Sequence, residues 1–385
     1  MKRVLPFILL TLSAAAPSRG QLPDSLSDAG RIYVVTTLPG DRVHNRYGHT
    51  AIRVFDRYLG YDVVFNYGTF DFGAPGFLWK FAHGRMDYML DLGSTRRAAQ
   101  TAELEERLMR QQLLDINKEQ RDALYSALLV NARPENREYR YDFLFDNCAT
   151  RPLDMIAAAL GGSVEWDSTT ATGQTFRQLL DPYHADAPAL DLGTDLVMGS
   201  GIDRIATARE EAFLPLRLEE ILAAAWVEDQ YGRRPLVLVQ DTLIWSARPE
   251  MPDPAFPWPT ALTGLVLLLG LASLRSRTAP GLLDRTLMIV LGLTGVVLLY
   301  MQFFTEHHVT DYNLNVLWAL PTHLVAVFLM GRKGAGHYLM ASSGLAVLSL
   351  LTSFVFQPVP SAAVPLILLV AIRFGVLGHR MTTSQ

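Results

Sequence analysis

Cysteine is nearly absent from this chain: among 385 residues only Cys148 carries a thiol. One thiol excludes an intrachain disulfide framework and any cysteine-cluster metal centre. An excess of positive charge is absent as well. The 34 Lys and Arg against 38 Asp and Glu leave a net charge of −4, without the basic footprint of a nucleic-acid binder. No internal repeat and no low-complexity tract is visible, which excludes a repeat architecture. Between Ala29 and Trp245 no long hydrophobic run occurs, so that stretch reads as a soluble domain.

Both ends differ from this middle. Met1-Lys2-Arg3, the apolar run Val4–Leu12 and small residues through Ala16 form a secretory signal, taken as residues 1–21 with cleavage within 15–22. No cysteine follows it, so the chain is not itself a lipoprotein. From Trp258 onward five apolar spans follow one another: Trp258–Leu274, Leu287–Phe304, Val316–Met330, Tyr338–Phe356 and Ala362–Leu377. A bilayer crossing takes ~20 residues, and the third span is the shortest. Arg275, Arg277 and Arg285 fall in the first loop, Arg332 and Lys333 in the third, Arg373 and Arg380 at the tail. The second loop (305–315) and the fourth (357–361) hold no Lys or Arg. Positive charge favours the cytoplasm, which places the soluble domain outside and the tail inside. The signal segment requires the same topology.

The soluble part alternates in character. Arg31–Leu38, Thr50–Phe55 and Asp62–Tyr67 are β-rich, and Met86–Asp91 reads as a further strand. Phe70–Gly84 is aromatic and broken by Gly and Pro, hence a loop or short helices, whose Phe70, Phe72, Phe77, Trp79 and Phe81 suit either a core or a lipid contact. Arg96–Leu114 and Lys118–Leu129 carry apolar residues at helical spacing. Tyr139–Phe145 alternates like a strand, and beyond Cys148 a stripe of Leu153, Ile156, Ala157 and Leu160 predicts a helix ended by Gly161-Gly162. Pro152 is tolerated in the first turn, so Cys148 falls at or just before the helix start. Leu216–Val227 is a helix candidate and Pro235–Trp245 a strand pair. Pro249, Pro252, Pro254, Pro257 and Pro259 make a stiff tether.

A lone exported thiol calls for an explanation other than a bridge. As thiolate it is a nucleophile, and a helix N-terminus or a nearby imidazole lowers its pKa. His49, in Tyr-Gly-His-Thr-Ala-Ile-Arg-Val (47–54), is the candidate base. A residue fixing the imidazole tautomer is expected on the next strand, where Asn66 is best placed and Asp71 second. Each residue alone has a plainer reading: Cys148 as a small buried hydrophobe, His49 as a satisfied core histidine, Asn66 as a turn residue, Asp146 and Asn147 as helix caps. In the second loop Glu306, His307, His308, Thr310, Asp311, Asn313 and Asn315 crowd together on the same side as Cys148. Adjacent histidines point apart and no i, i+4 pair exists, so no metal is expected. The loop reads as a grip on lipid headgroups or substrate, with Trp318 at headgroup level, or as merely solvated.

Together these stretches resemble known proteins. A Gly-His-Thr strand followed by Asn-Cys at a helix start resembles circularly permuted papain-like proteins, the NlpC/P60-like and lecithin:retinol acyltransferase-like (LRAT-like) groups among them. Residues 47–54, Phe-Asn-Tyr-Gly-Thr-Phe-Asp-Phe (65–72), Asp-Asn-Cys-Ala-Thr-Arg (146–151) and the 304–321 loop are similar to the Lnb family of lipoprotein N-acyltransferases. The resemblance implies an α+β permuted papain-like exported domain at 29–250, a Pro-rich linker at 251–258, and an all-α transmembrane bundle of about five helices at 258–380. It implies Cys148 as nucleophile and His49 as base, without settling the orienter. It favours substrate-facing roles for His307 and Asn313, and Asn147 and Tyr67 are taken as substrate contacts beside them. The implied protein is an acyltransferase of the bacterial inner membrane with a periplasmic domain and a cytoplasmic C-terminus. A phospholipid acyl donor passes its chain through a cysteine thioester to a lipoprotein N-terminal amine, with no cofactor and no nucleic acid. A papain-like hydrolase of cell-wall peptides, secreted protein or lipid and a non-enzymatic envelope sensor or assembly protein are the competing readings.

Overall fold

The computed structural model describes residues 22–70, 76–85, 87–276 and 280–383. The signal segment, Asp71, Phe72, Met86 and Arg277 lie outside the described residues, as do the side chains of Phe77 and Phe81. The soluble part is mixed α/β and the C-terminal part is helical.

Alternating apolar residues build an antiparallel seven-stranded sheet. Its strands are β1 (Arg31–Thr37), β2 (His49–Asp56), β3 (Tyr61–Thr69), β4 (Asp87–Ser94), β5 (Met109–Leu114), β6 (Glu138–Arg140) and, after a small sheet of β7 (Val164–Glu165), β8 (Trp226–Asp229) and β9 (Gly232–Pro235), the late strand β10 (Val237–Ile244). The order is β10-β5-β1-β2-β3-β4-β6. Ile32, Val34, Ile52, Val54 and Phe65 face one layer, where they meet Leu153 and Ile156 of the helix Thr150–Leu160 and Leu124 and Leu128 of the helix Lys118–Asn131. Burying each such side chain stabilises the fold by about 1.5–3 kcal/mol. Val35 and Met109 face the other layer beneath Ala102 of the helix Thr95–Leu104.

Three expectations are corrected. Arg96–Leu114 is not one helix: it divides into Thr95–Leu104 and strand β5, which pairs with β1 and β10. Glu106 at φ 53° turns the chain, and Leu104 at the end of the first helix is 86% exposed. Tyr139–Phe145 is not one strand, because β6 stops at Arg140 and the chain closes a tight loop with Asp142 and Asp146 bonded backbone to backbone. The strand pair placed at Pro235–Trp245 is the single strand β10; the hairpin lies earlier, at β8 and β9.

The third membrane span is also altered. Among the described residues three helices are long and apolar enough to cross a bilayer: Leu282–Phe304, Ala335–Thr352 and Val364–Thr383; Trp258–Ser273 is shorter. Val316–Met330 holds only the end of a tight turn (Leu314–Leu317) and a seven-residue helix, His323–Leu329, because Pro321 interrupts it. This broken segment packs on the helix Leu282–Phe304, where Gly295 lies under the Ala319 carbonyl and Gly292 under Leu324. A Cβ at either glycine would collide. At the opposite end of the bundle the fully buried Arg373 pairs with Asp284 and bonds the Gly270 carbonyl and Ser273 Oγ, tying three helices together.

Loops of the membrane half dock on the soluble half. Asn313 Nδ2 donates to the Leu196 and Val197 carbonyls at 2.7 and 3.0 Å, and Asn315 Nδ2 donates to that of Leu196 at 3.2 Å. Gln357 Nε2 donates to the Met198 carbonyl at 3.1 Å. On another side, Glu306 bridges Arg85 and Arg140.

Candidate active site

Pairing of β2 with β3 runs from Asp56↔Tyr61 only as far as Ile52↔Phe65. Beyond it β3 breaks register with β4 between Asn66 and Thr69. The start of β2 and the end of β3 therefore spread apart, and the chain leading into the helix Thr150–Leu160 fills the notch. Gly68, at φ +86°, lets β3 turn there; a Cβ on it would sit 3.3 Å from Cys148 Cβ.

Three side chains converge in the notch. His49 opens β2, Asn66 comes from β3, and Cys148 precedes the helix by two residues. His49 Nε2 donates to Asn66 Oδ1 in a short hydrogen bond. The Cys148 thiol hydrogen-bonds the same ring. With Nε2 held by Asn66, Nδ1 is the nitrogen left for the sulfur. All three residues are half-buried.

The electrostatics follow from this geometry. Burial pushes the Cys148 thiol up, but the charge and hydrogen bond of His49, with backbone N–H bonds from Thr50 and Cys148 itself, leave it below its ordinary value. Burial pulls His49 down, but the thiolate and the bonds to Cys148 and Asn66 leave it above its ordinary value. The direction for both is toward a thiolate–imidazolium pair.

Of the two readings of Asn147, helix cap and substrate contact, its hydrogen bonds match the first. It is 3% exposed, and every polar atom of its side chain is used internally. Oδ1 accepts from the backbone N–H groups of Ala149 and Thr150 at 2.7 and 3.0 Å, and Nδ2 donates to the Phe143 and Phe213 carbonyls at 2.8 and 2.9 Å. It caps the helix and fixes the loop that carries the thiol. Tyr67 is likewise buried in the core, its hydroxyl donating to Asn131 Oδ1 at 2.7 Å. Asn313 is 2% exposed and holds the two halves together, while Trp318 is buried and donates to Asn315 rather than reaching a headgroup. His307 is half-buried in the loop after the helix Leu282–Phe304. The side-chain polar groups of Asn147, Tyr67 and Asn313 are thus engaged inside the protein.

An aromatic wall that sequence reasoning missed flanks the sulfur. Tyr141 stacks on Tyr88 with ring centres 4.3 Å apart, and Phe70 packs on Tyr88 at 4.9 Å. Burial first, and the Cys148 charge second, push Tyr88 up to about 12. No signal in the sequence joins these three, because they come from separate strands and loops. Among the described residues no three His, Cys, Asp or Glu side chains converge to hold a metal. Cavities of about 280 and 240 Å³ lie elsewhere, and neither is lined by Cys148, His49 or Asn66.

Comparison with known families adds to this geometry. The family model of the Lnb N-terminal periplasmic domain matches residues 24–181, and that of the Lnb transmembrane domain matches 251–384. The chain belongs to the Lnb family. Membership makes it a membrane protein with a periplasmic N-terminal domain, and points to a membrane enzyme that modifies lipoproteins. Neither a curated protein nor a solved structure matches it. The Lnb models meet on either side of residues 182–250, which supply β10 of the main sheet and the helix Pro188–Val197 that receives the membrane loops.

Proposed function

We propose that this Lnb protein is a thiol acyltransferase that moves a fatty acyl chain from a phospholipid to the N-terminal amine of a lipoprotein. The observation that carries it is the Cys148–His49–Asn66 line of hydrogen bonds in a partly open notch. The order of strand histidine before helix cysteine supports a permuted papain-like reading of the domain. Residues 29–250 form that domain and 258–380 the membrane part, joined by the Pro-rich 251–258. The loop charges favour a cytoplasmic C-terminus, and family membership favours the bacterial inner membrane.

In the first half-reaction the Cys148 thiolate attacks an ester carbonyl carbon of the donor. A carbon–sulfur bond forms, the ester carbon–oxygen bond breaks, and the departing alkoxide takes the proton from the His49 imidazolium, leaving as a lysophospholipid. In the second, the lipoprotein amine attacks the thioester, His49 takes the amine proton, and the thiolate leaves as the amide forms. Asn66 holds the ring so that one nitrogen faces the sulfur throughout. Backbone N–H groups at the helix start are the natural donors to the transient oxyanion. Water in place of the amine would make the same site a hydrolase.

Mass spectrometry of lipoprotein N-termini from cells with and without the gene tests the reading. Loss of the amide-linked chain is expected in its absence, with restoration by the unmodified gene but not by Cys148→Ala. Full restoration by Cys148→Ala would overturn it. Release of free fatty acid without amide formation would make the hydrolase the better reading.

A further inference from the structure

The geometry points to Arg85 and Arg140 as a phosphate site for the phospholipid donor, set at the headgroup level where the membrane helix meets the soluble half. This rests on the acyl-transfer reading only for the word donor; the lipid site stands or falls by itself. Both guanidinium groups converge on one carboxylate: Arg85 Nε lies 2.9 Å from Glu306 Oε1 and Arg140 Nη2 lies 2.6 Å from Glu306 Oε2. Two cations against one anion leave a net positive charge. The side chains are 64% and 55% exposed, so donor N–H groups remain open to solvent. A guanidinium fork matches a phosphate as it matches a carboxylate, and phosphate is the anion that every glycerophospholipid headgroup carries.

Their height is set by the membrane helix beneath them. Glu306 follows the end of the helix Leu282–Phe304 by two residues, and its N–H bonds the His83 carbonyl at 2.8 Å. Tyr300, in the last turns of that helix, bonds His83 Nε2 at 2.7 Å and stacks on Phe304. Trp79 lies against His83 at 3.9 Å and is 68% exposed, near the exposed Phe303 and Phe304. Exposed aromatics beside cations at a helix end mark the interface of bilayer and water. The occupant that fits such a collar is the phosphodiester of a glycerophospholipid in the adjoining leaflet.

The collar adjoins the aromatic wall along the chain. Arg140 directly precedes Tyr141, whose ring stacks on Tyr88 in the wall beside Cys148. In a glycerophospholipid the ester carbonyls stand only a few bonds from the phosphate. A phosphate held at Arg140 leaves the ester within a few bonds of the collar, one residue along the chain from the wall of Tyr141, Tyr88 and Phe70.

The test is equilibrium binding to full-length Cys148→Ala protein in detergent. The probes are a short-chain phosphatidylethanolamine and the matching diacylglycerol, which lacks the phosphate. Arg85→Gln with Arg140→Gln is expected to weaken phosphatidylethanolamine binding about tenfold, the order of one lost charge-assisted contact. Diacylglycerol binding is expected to change less than twofold. Glu306→Gln, which frees both arginines from their carboxylate, is expected to tighten phosphatidylethanolamine binding. Equal weakening toward both probes, no change toward either, or weakening by Glu306→Gln would overturn the proposal and leave the cluster as a clamp between the halves. A parallel search for a Cys148 thioester in the unmodified protein separates the two readings. Binding that behaves as expected with no thioester formed would sink acyl transfer and leave the lipid site intact.

Discussion

Gly68 and Cys148 touch backbone to side chain: the space a Gly68 side chain would need begins 3.3 Å from the cysteine Cβ. The glycine also sits at φ +86°, where an L-residue is strained by about 1–2 kcal/mol. Gly68→Ala is thus expected to lower stability by about that amount and to push the sulfur off the imidazole. Thermal unfolding with a Cys148 acylation assay checks both. Unchanged acylation would show that the notch is wider than this packing implies.

Asn66 acts through His49 and not on substrate. Asn66→Ala is expected to cut the maximal rate about 100-fold, the scale of a misaligned general base, with little change in half-saturating donor. Asn66→Asp keeps an acceptor at the ring and should retain more activity. The pH profile of the two variants decides it, since a purely structural residue would not move the profile.

The ion pair sets a pH window. Cys148 lies below its ordinary value and His49 above its own. The lowered thiol contributes stability above its unfolded value that is lost as pH falls through the folded one. The raised imidazole contributes stability below its unfolded value that is lost as pH rises through the folded one. Activity should therefore be bell-shaped, with an acid limb from Cys148 and an alkaline limb from His49. Iodoacetamide should label Cys148 rapidly at neutral pH, and His49→Ala should move labelling toward the ordinary thiol range of ~8.5. Equal labelling curves for the two proteins would contradict the pairing.

Asn147 is a folding residue. Asn147→Ala removes four buried hydrogen bonds and leaves carbonyls of Phe143 and Phe213 short of a donor. A loss of about 2–3 kcal/mol in stability is expected, the scale of unsatisfied buried groups. Chemical denaturation of the unmodified protein and the variant checks it. A folded, fully stable variant with altered lipid preference would instead restore the substrate-contact role.

Asn313 is an interdomain tie. Asn313→Ala should raise amide hydrogen exchange around 195–197, whose carbonyls it and Asn315 hold, without changing Cys148 alkylation. Unaltered exchange there would mean that Asn315 and Gln357 suffice.

Much was legible along the chain because it depends on neighbours in sequence. Period-two alternation marked β1, β2 and β3, and the stripe after Cys148 marked its helix. Met109–Leu114 was not legible as a strand: its apolar residues suit either period, and only the two flanking strands choose between them. Asn313 and Asn147 looked like binding groups for a similar reason. A polar residue in a motif is the same letter whether its amide meets a ligand or a buried carbonyl.

By itself the sequence determined the apolar spans and the single thiol, and it singled out His49 as that thiol's candidate partner, all from composition and local pattern. The tertiary structure decided that Asn66 bonds His49, that Tyr141, Tyr88 and Phe70 wall the sulfur, and that Glu306 gathers two arginines at a helix end. Those relationships join residues as far as 221 positions apart, and only the packing of strands and helices brings such side chains within hydrogen-bond reach.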